Sequence, residues 1–403
     1  MDFKKLPSRP DPDHYKKQAK EVLKGYKSGD LAVLQRIRQH LPRLQKATET
    51  ELRSSRFVLA DAQFVLAREH GFESWPRFAK HLEALNRVGS PVSKFESAVD
   101  AVVAGDADLL ERLLRENPDL VQARSARSHR STLLLYVGAN GVEGYRQKTP
   151  KNAVKIAEIL LKAGADIQAV GEMYRGTTTL GLVATSIHPL IAGVQNELID
   201  LLLANGASFD GAVAPDYTGG SIVNACLANG RGLAAVYLAK RGARLDLEGA
   251  TGVGRIDVVN SFFDADGRLR GNATQEQMRS GLNWACLYGR TEIVALLLQK
   301  GIAVNERHRG ETALNHAAVG AWVEIVRLLL ENGASIDIED ERWGGTPLSW
   351  AVHGWFHPSP EPTGDYYKTV SVLVAAGSNV RQEWLASDKV RADSRMLTAL
   401  QGG

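Results

Sequence analysis

The sequence predicts an all-α solenoid, made of short helix pairs that repeat along the chain and preceded by a helical N-terminal cap. Three observations predict this class. Apolar residues recur at helical spacing in short stretches, most stretches end at a Gly-Ala or Gly-Ser pair, and the step from Leu282 to Leu314 in neighbouring stretches is 32 residues. Because two helices of this length cannot bury a core alone, each pair requires similar pairs beside it.

The clearest unit is residues 305–337, which read NERHRGETALNHAAVGAWVEIVRLLLENGASID. Thr312 is a good N-cap for a first short helix over residues 313–320. Glu324 opens a second helix whose apolar residues fall on one face. Gly333 follows this helix, where a glycine accepts the left-handed conformation that ends helices. One helix, a loop and a second helix therefore form the repeating unit.

Two further stretches repeat this pattern, at 280–305 and at 345–379, and the second contains Thr346-Pro347-Leu348. The pattern resembles the ankyrin repeat, with its T-P-L-H-x-A core, its V-x-x-L-L run and its terminal Gly-Ala. The resemblance extends over roughly residues 95–380 and is to a bacterial-type ankyrin protein with a helical N-terminal segment. It implies an interaction scaffold rather than a reaction. The chain departs from the pattern in that T-P-L occurs only at 346–348.

These patterns predict three parts. Residues 1–90 form a helical N-terminal cap domain of four helices, with a polar loop over 43–56. Residues 91–380 form the ankyrin array of about eight units, some of them degenerate. Residues 381–403 form a C-terminal capping tail, with one short helix and a frayed end. A polar insertion at 141–152 is expected to be a solvated loop.

Composition limits the classes of function. The net charge of +3 over 403 residues gives no support for binding nucleic acid or an anionic membrane. We find no apolar run long enough to span a bilayer and no secretory signal at the N-terminus. Only Cys226 and Cys286 occur, which predicts two buried free thiols and a cytoplasmic location. We expect no cofactor, no metal and a monomer.

In an ankyrin unit, the residue two positions after the motif leucine faces the concave side. Three consecutive units place Trp284, His316 and Trp350 there. Trp and Tyr are common in binding hot spots, so we predict an aromatic concave groove. The alternative is that these rings fill contacts between helices. The other candidate binding residues are aromatic residues at matching or nearby positions: Tyr136, Tyr288, Trp322, Trp343, Trp355 and Tyr366.

An insertion at 353–368 separates the two helices of the last unit. Its Pro and Gly content predicts no regular element, and we expect it to close one end of the groove and shape a pocket. His316, His353 and Asp365 are weak catalytic candidates, since a folded-back insertion would allow an acid–base pair between His316 and Asp365 or Glu361. The pair His353 and His357 has a metal-ligand spacing but lacks a third ligand.

Three hypotheses of function result. The first is a binding module that recognises a protein or peptide on its concave face. The second is an enzyme or small-molecule binder with a pocket under the 353–368 insertion. The third is an inert scaffold, for which scattered rather than clustered tryptophans are expected.

Overall fold

The computed structural model describes residues 3–216 and 218–402. Within these residues the regular structure is helical, with only four isolated β-bridges beside it, so the all-α prediction is confirmed. Residues 1 and 2 of the predicted cap and residue 403 of the predicted tail lie outside the described part. The chain divides into two compact units, Met1–Gly220 and Ser221–Gly403.

The first unit contains the helices that precede the repeats and the first three helix pairs. Its α-helices are α1 Pro12–Ser28, α2 Leu31–His40, α3 Glu49–Ser54, α4 Leu59–Glu69, α5 Trp75–Asn86, α6 Pro91–Ala104, α7 Ala107–Glu116, α8 Leu133–Tyr136, α9 Ala153–Lys162, α10 Thr179–Thr185, α11 Ile187–Ile191 and α12 Gln195–Ala204.

The second unit contains five helix pairs and three short closing helices. Its α-helices are α13 Ile222–Ala228, α14 Gly232–Lys240, α15 Leu247–Val253, α16 Ile256–Ser261, α17 Gln275–Leu287, α18 Thr291–Gln299, α19 Ala313–Val319, α20 Val323–Glu331, α21 Pro347–Phe356, α22 Tyr366–Ala375, α23 Gln382–Ala386, α24 Asp388–Ala392 and α25 Ser394–Gln401.

Local residue chemistry sets the helix ends in the clearest unit, as predicted. The Thr312 hydroxyl accepts the backbone N–H of Asn315, and the Asn315 side chain accepts the backbone N–H of Thr312 in return. This reciprocal capping satisfies two amides that the first turn leaves free. After α20, Gly333 has φ of 84°, a left-handed conformation that a glycine adopts without strain.

Three local predictions are wrong. The predicted loop over 43–56 contains α3, because Thr48 and Glu51 form a capping box that starts a helix there. The predicted irregular insertion begins as helix, since α21 continues through Gly354 to Phe356. The predicted frayed tail is three helices, whose apolar residues Val390 and Met396 are fully buried.

One continuous apolar core runs through the second unit, from Leu247 to Leu400. It joins the inward faces of successive helix pairs and includes residues of the closing helices. Cys226 and Cys286 are free and fully buried, as predicted. Burial raises the pKa of both thiols, so they remain protonated near neutral pH. Every helix in residues 3–216 and 218–402 is too short or too polar to cross a bilayer.

Candidate functional site

Three rings from consecutive repeats lie side by side in the second unit. The ring centroids of Trp284 and His316 are 6.1 Å apart, and those of His316 and Trp350 are 5.7 Å apart. The two indoles are half-buried, and His316 between them is buried. The spacing of the repeats therefore brings together the three residues that the sequence places on equivalent positions. We call Trp284, His316 and Trp350 the ring row.

A carboxylate fixes each ring of the row. Glu248 accepts a hydrogen bond from the Trp284 indole at 2.8 Å. Glu311 lies 3.0 Å from His316 Nε2, and Asp340 accepts from the Trp350 indole at 3.0 Å. Each carboxylate comes from a segment that precedes its ring in the chain. The two indole N–H groups and Nε2 of His316 are thus engaged, and these contacts order the row before any ligand arrives.

A cleft of about 600 Å³ begins at Trp350 and runs along α21 toward the closing helices. Its aromatic walls are Trp343, Trp350, Phe356 and Trp384. Trp343 is 72% exposed, the highest value among the exposed aromatic side chains of the described residues. This volume is in the range of ligand-binding pockets. We call it the C-terminal cleft.

The turn that carries Trp343 is held by Asp340, which is 2% exposed. One carboxylate oxygen accepts the backbone N–H groups of Arg342 at 2.9 Å and of Trp343 at 2.6 Å. The other oxygen accepts the backbone N–H of Gly345 at 2.8 Å and the Trp350 indole. Burial opposes ionisation of Asp340, but these hydrogen bonds hold its pKa below the ordinary value. A buried, ionised carboxylate therefore positions two tryptophans of the cleft.

Three other predicted binding residues lie in the seams between helix pairs. Tyr288 donates to the carbonyl of Leu227 at 2.6 Å. Trp322 donates to the carbonyl of Leu287 at 2.8 Å, and Tyr366 donates to the carbonyl of Val319 at 2.9 Å. Leu287 and Val319 are the last residues of α17 and α19, and Leu227 is in the last turn of α13. Carbonyl groups at these positions lack intrahelical partners. These three side chains therefore satisfy the ends of neighbouring helices.

The 353–368 insertion lines the C-terminal cleft with His353, Phe356 and His357, whereas its later residues contact other loops. Glu361 accepts the backbone N–H of Leu233 at 3.0 Å, at the start of α14 and 128 residues earlier in the chain. Gly364 donates to the carbonyl of Gly320 at 2.8 Å. The N-terminus of a helix attracts a carboxylate, which holds Glu361 at the start of α14. The residues after Phe356 therefore run along the loops that join the two helices of a pair. Trp355 stacks edge-on against Phe356 with Lys389 over its ring at 4.6 Å.

The predicted acid–base pair is not formed. His316 pairs with Glu311, and Asp365 instead caps α22 by accepting the backbone N–H of Lys368 at 3.1 Å. His353 lies in the cleft wall, where burial and then the neighbouring His357 lower its pKa. The rings of His353 and His357 are 4.6 Å apart. Among the described residues no group of three His, Cys, Asp or Glu could hold a metal ion.

A family model described as ankyrin repeats, in three copies, matches residues 250–340 and 282–383. Residues 250–383 are therefore ankyrin repeats. The 26S proteasome non-ATPase regulatory subunit 10 of Rattus norvegicus is 43% identical to it over 54 residues, which is 13% of this chain and 23% of that protein. The match thus spans less than a quarter of that relative. The crystal structure of the human ASB11 ankyrin repeat domain aligns with 70% of this chain, and the alignment covers 98% of that domain. The identity is 19% and the TM-score is 0.36.

Sequence reasoning missed two residues of the C-terminal cleft. Arg381 and Trp384 line the cleft, with the guanidinium 5.5 Å from the indole ring. Arg381 directly precedes α23 and Trp384 lies in it, in a stretch that the sequence predicts to be a polar tail. Trp384 is the last of seven tryptophans, and its position just after a repeat is the signal that could have indicated it.

Tyr136 lies in the first unit, where it is 1% exposed and donates to Glu143 at 3.3 Å. It belongs to a buried network of charged groups that the sequence did not predict. Arg127 and Arg146 each contact both Glu96 and Glu143, at 2.6 to 3.1 Å. Arg146 was expected on a solvated loop but is 6% exposed, because two acidic side chains draw it inward. The signal was Glu96 on an otherwise apolar face of α6.

Burial alone would raise the pKa of the two glutamates in this network. The neighbouring arginines outweigh this effect and lower it. The pKa of Glu96 falls to about 2 because Arg127 and Arg146 lie beside it. The pKa of Glu143 is also lowered, and that of both arginines is raised. All four groups are therefore charged at neutral pH, and each depends on its partners.

Proposed function

We propose that this chain is a binding module that recognises a protein partner in its C-terminal repeats, on the ring row and the C-terminal cleft. Ankyrin repeats are protein-interaction modules. The repeats of this chain expose aromatic area along the first helices of successive pairs. The single observation that carries the proposal is the continuity of Trp284, His316 and Trp350, whose last ring is also a wall of the cleft.

Two features of the surface support binding rather than catalysis. His316 pairs with Glu311 and Asp365 caps α22, so these two side chains do not form an acid–base pair with each other. Trp343 stands 72% exposed, and exposed indoles that a rigid backbone holds in place give contact area at low entropic cost. We further propose a cytoplasmic location, because both thiols are buried and free, as is usual in a reducing compartment.

Site-specific photo-crosslinking tests the proposal. The full chain is made with p-benzoylphenylalanine in place of Trp343 and irradiated in a lysate of its native cells. A matched bait carries the same group in place of Tyr174, which is 53% exposed and lies in the first unit. We expect a protein adduct at position 343 that is absent at position 174 and is lost when Trp350→Ala is added. No adduct at 343, or the same adducts at both positions, would overturn the proposal.

A further inference from the structure

The C-terminal cleft carries positive charge on one wall, from Arg381. Beside its four aromatic side chains it is lined by Arg381 and by two imidazoles, those of His353 and His357. Of the residues that the structure describes, no Asp or Glu is among those that line the cleft. A cleft with cationic and neutral walls attracts a ligand that carries negative charge.

Two carboxylates beside the cleft are already engaged. Asp340 lies behind Trp350, 2% exposed, and accepts four hydrogen bonds from its own turn and from that indole. Glu383 is 3.6 Å from Arg381, and both side chains are largely exposed. Exposed pairs of this kind contribute little to stability, so a carboxylate of a ligand can replace Glu383 beside Arg381.

The aromatic walls favour a flat apolar side chain between them. Arg342 lies over the Trp343 ring at 4.8 Å, and Arg381 lies over the Trp384 ring at 5.5 Å. A guanidinium that stacks on an indole can still form hydrogen bonds to a carboxylate through the edge of its plane. The volume of about 600 Å³ accommodates one large side chain and its neighbours in the chain, rather than a folded domain.

We propose that the C-terminal cleft binds an acidic segment of the partner protein, with a tryptophan or phenylalanine anchor flanked by aspartate or glutamate. The anchor ring packs among Trp343, Trp350 and Trp384, and a flanking side-chain carboxylate binds Arg381. This inference rests on the proposed function, because the cleft continues the ring row.

Synthetic peptides test the proposed chemistry on the full chain by fluorescence anisotropy. The first peptide has a central tryptophan with two aspartates on each side, and both of its ends are blocked. The second replaces the aspartates by lysines, and the third replaces the tryptophan by alanine. We expect the first to bind at least about tenfold more tightly than either of the others, which corresponds to one well-formed anchor or charged contact.

Variants locate the binding. Arg381→Gln should weaken the acidic tryptophan peptide about fivefold or more and reduce its salt dependence, since one charged contact is lost. Arg327→Gln, which removes an exposed arginine elsewhere in the same unit, should change neither property. Equal melting temperatures of the two variants confirm that both are folded. Unchanged affinity in Arg381→Gln would overturn the inference.

The two proposals fail in different ways. If the lysine peptide or a neutral proline-rich peptide binds as well as the acidic tryptophan peptide, the partner is not acidic and the inference is wrong. The same holds if binding requires a free C-terminal carboxylate. In each of these cases an adduct at position 343 still supports the proposed function. If position 343 gives no adduct and no peptide binds, both proposals are wrong.

Discussion

Asp340 and Trp350 are joined by a hydrogen bond of 3.0 Å from the indole N–H to the carboxylate. The same carboxylate accepts three backbone N–H groups of the turn that carries Trp343. One buried acid therefore couples the end of the ring row to the most exposed wall of the C-terminal cleft. This relationship explains how a short turn can hold an indole out in solvent.

Asp340→Ala should destabilise the second unit and loosen the cleft. The substitution leaves buried donors without an acceptor, which costs about 1–3 kcal/mol. Urea unfolding measures the loss, and a shift of tryptophan emission reports the change around Trp343 and Trp350. Asp337→Ala, at an exposed position of the same loop, is the control and should have little effect. Equal stability of the two variants would contradict the role assigned to Asp340.

The same carboxylate predicts a dependence on acid. The pKa of Asp340 is lowered in the folded chain, so its contribution to stability is present above its unfolded value of about 3.9. The contribution is lost as the pH falls through the folded value. Acid titration followed by tryptophan emission should therefore show a transition below about pH 4 that Asp340→Asn removes. If the variant retains the transition, groups other than Asp340 cause it.

The seam side chains should affect stability and leave binding unchanged. Tyr366→Phe removes a hydroxyl that donates to the carbonyl of Val319 and should cost about 0.5–1.5 kcal/mol. Tyr288→Phe removes the equivalent bond to Leu227 and should cost a similar amount. Both variants should bind the acidic tryptophan peptide with the affinity of the unmodified chain. A loss of affinity without a loss of stability would show that these residues contact the ligand.

Removal of one arginine should strongly destabilise the first unit. Arg127→Gln leaves Glu96 and Glu143 with one cation fewer in a buried site, and a broken buried pair costs about 3–5 kcal/mol. Arg112→Gln, at an exposed position of α7, is the control. Thermal unfolding of the two variants makes the comparison, and a difference below about 1 kcal/mol would show that the network is not stabilising.

Glu361 should produce a pH dependence of the opposite sign. Burial raises the pKa of Glu361. The hydrogen bond from the backbone N–H of Leu233 lowers it by less, so the pKa is raised overall. The folded chain thus holds this proton more tightly than the unfolded chain does. Its contribution to stability is complete below the unfolded value of about 4.3 and is lost as the pH rises through the folded value. Urea unfolding across this range should show the decline in the unmodified chain, and Glu361→Gln should lack it.

The parts of the fold that the sequence predicts are those that local chemistry determines. Thr312 and Gly333 set helix ends through groups within a few residues, and the repeat spacing places Trp284, His316 and Trp350 in a row. The failures involve distant partners. Arg146 is buried because of Glu96, 50 residues earlier. Glu361 does not pair with His316, because it accepts the backbone N–H of Leu233 at a helix start 128 residues earlier.

The cleft was only partly predictable for the same reason. Trp350 could be assigned by register, and Trp343 by its nearness to the same repeat in the sequence. Trp384 and Arg381 lie beyond the last repeat, where no register applies and only packing of the closing segment brings them to the cleft. A polar stretch that contains one tryptophan was interpreted as solvent-exposed tail, although that ring completes the aromatic wall.

The seven tryptophans provide the most direct test of the account. The full chain is labelled with 5-fluorotryptophan, each fluorine resonance is assigned by a Trp→Phe variant, and the spectrum is followed as the captured partner is added. We predict shifts at Trp284, Trp343, Trp350 and Trp384 and none at Trp75, which lies in α5 in the other unit. Shifts confined to Trp75, or no shift at Trp343 and Trp350 on saturation, would contradict binding at the ring row and the C-terminal cleft.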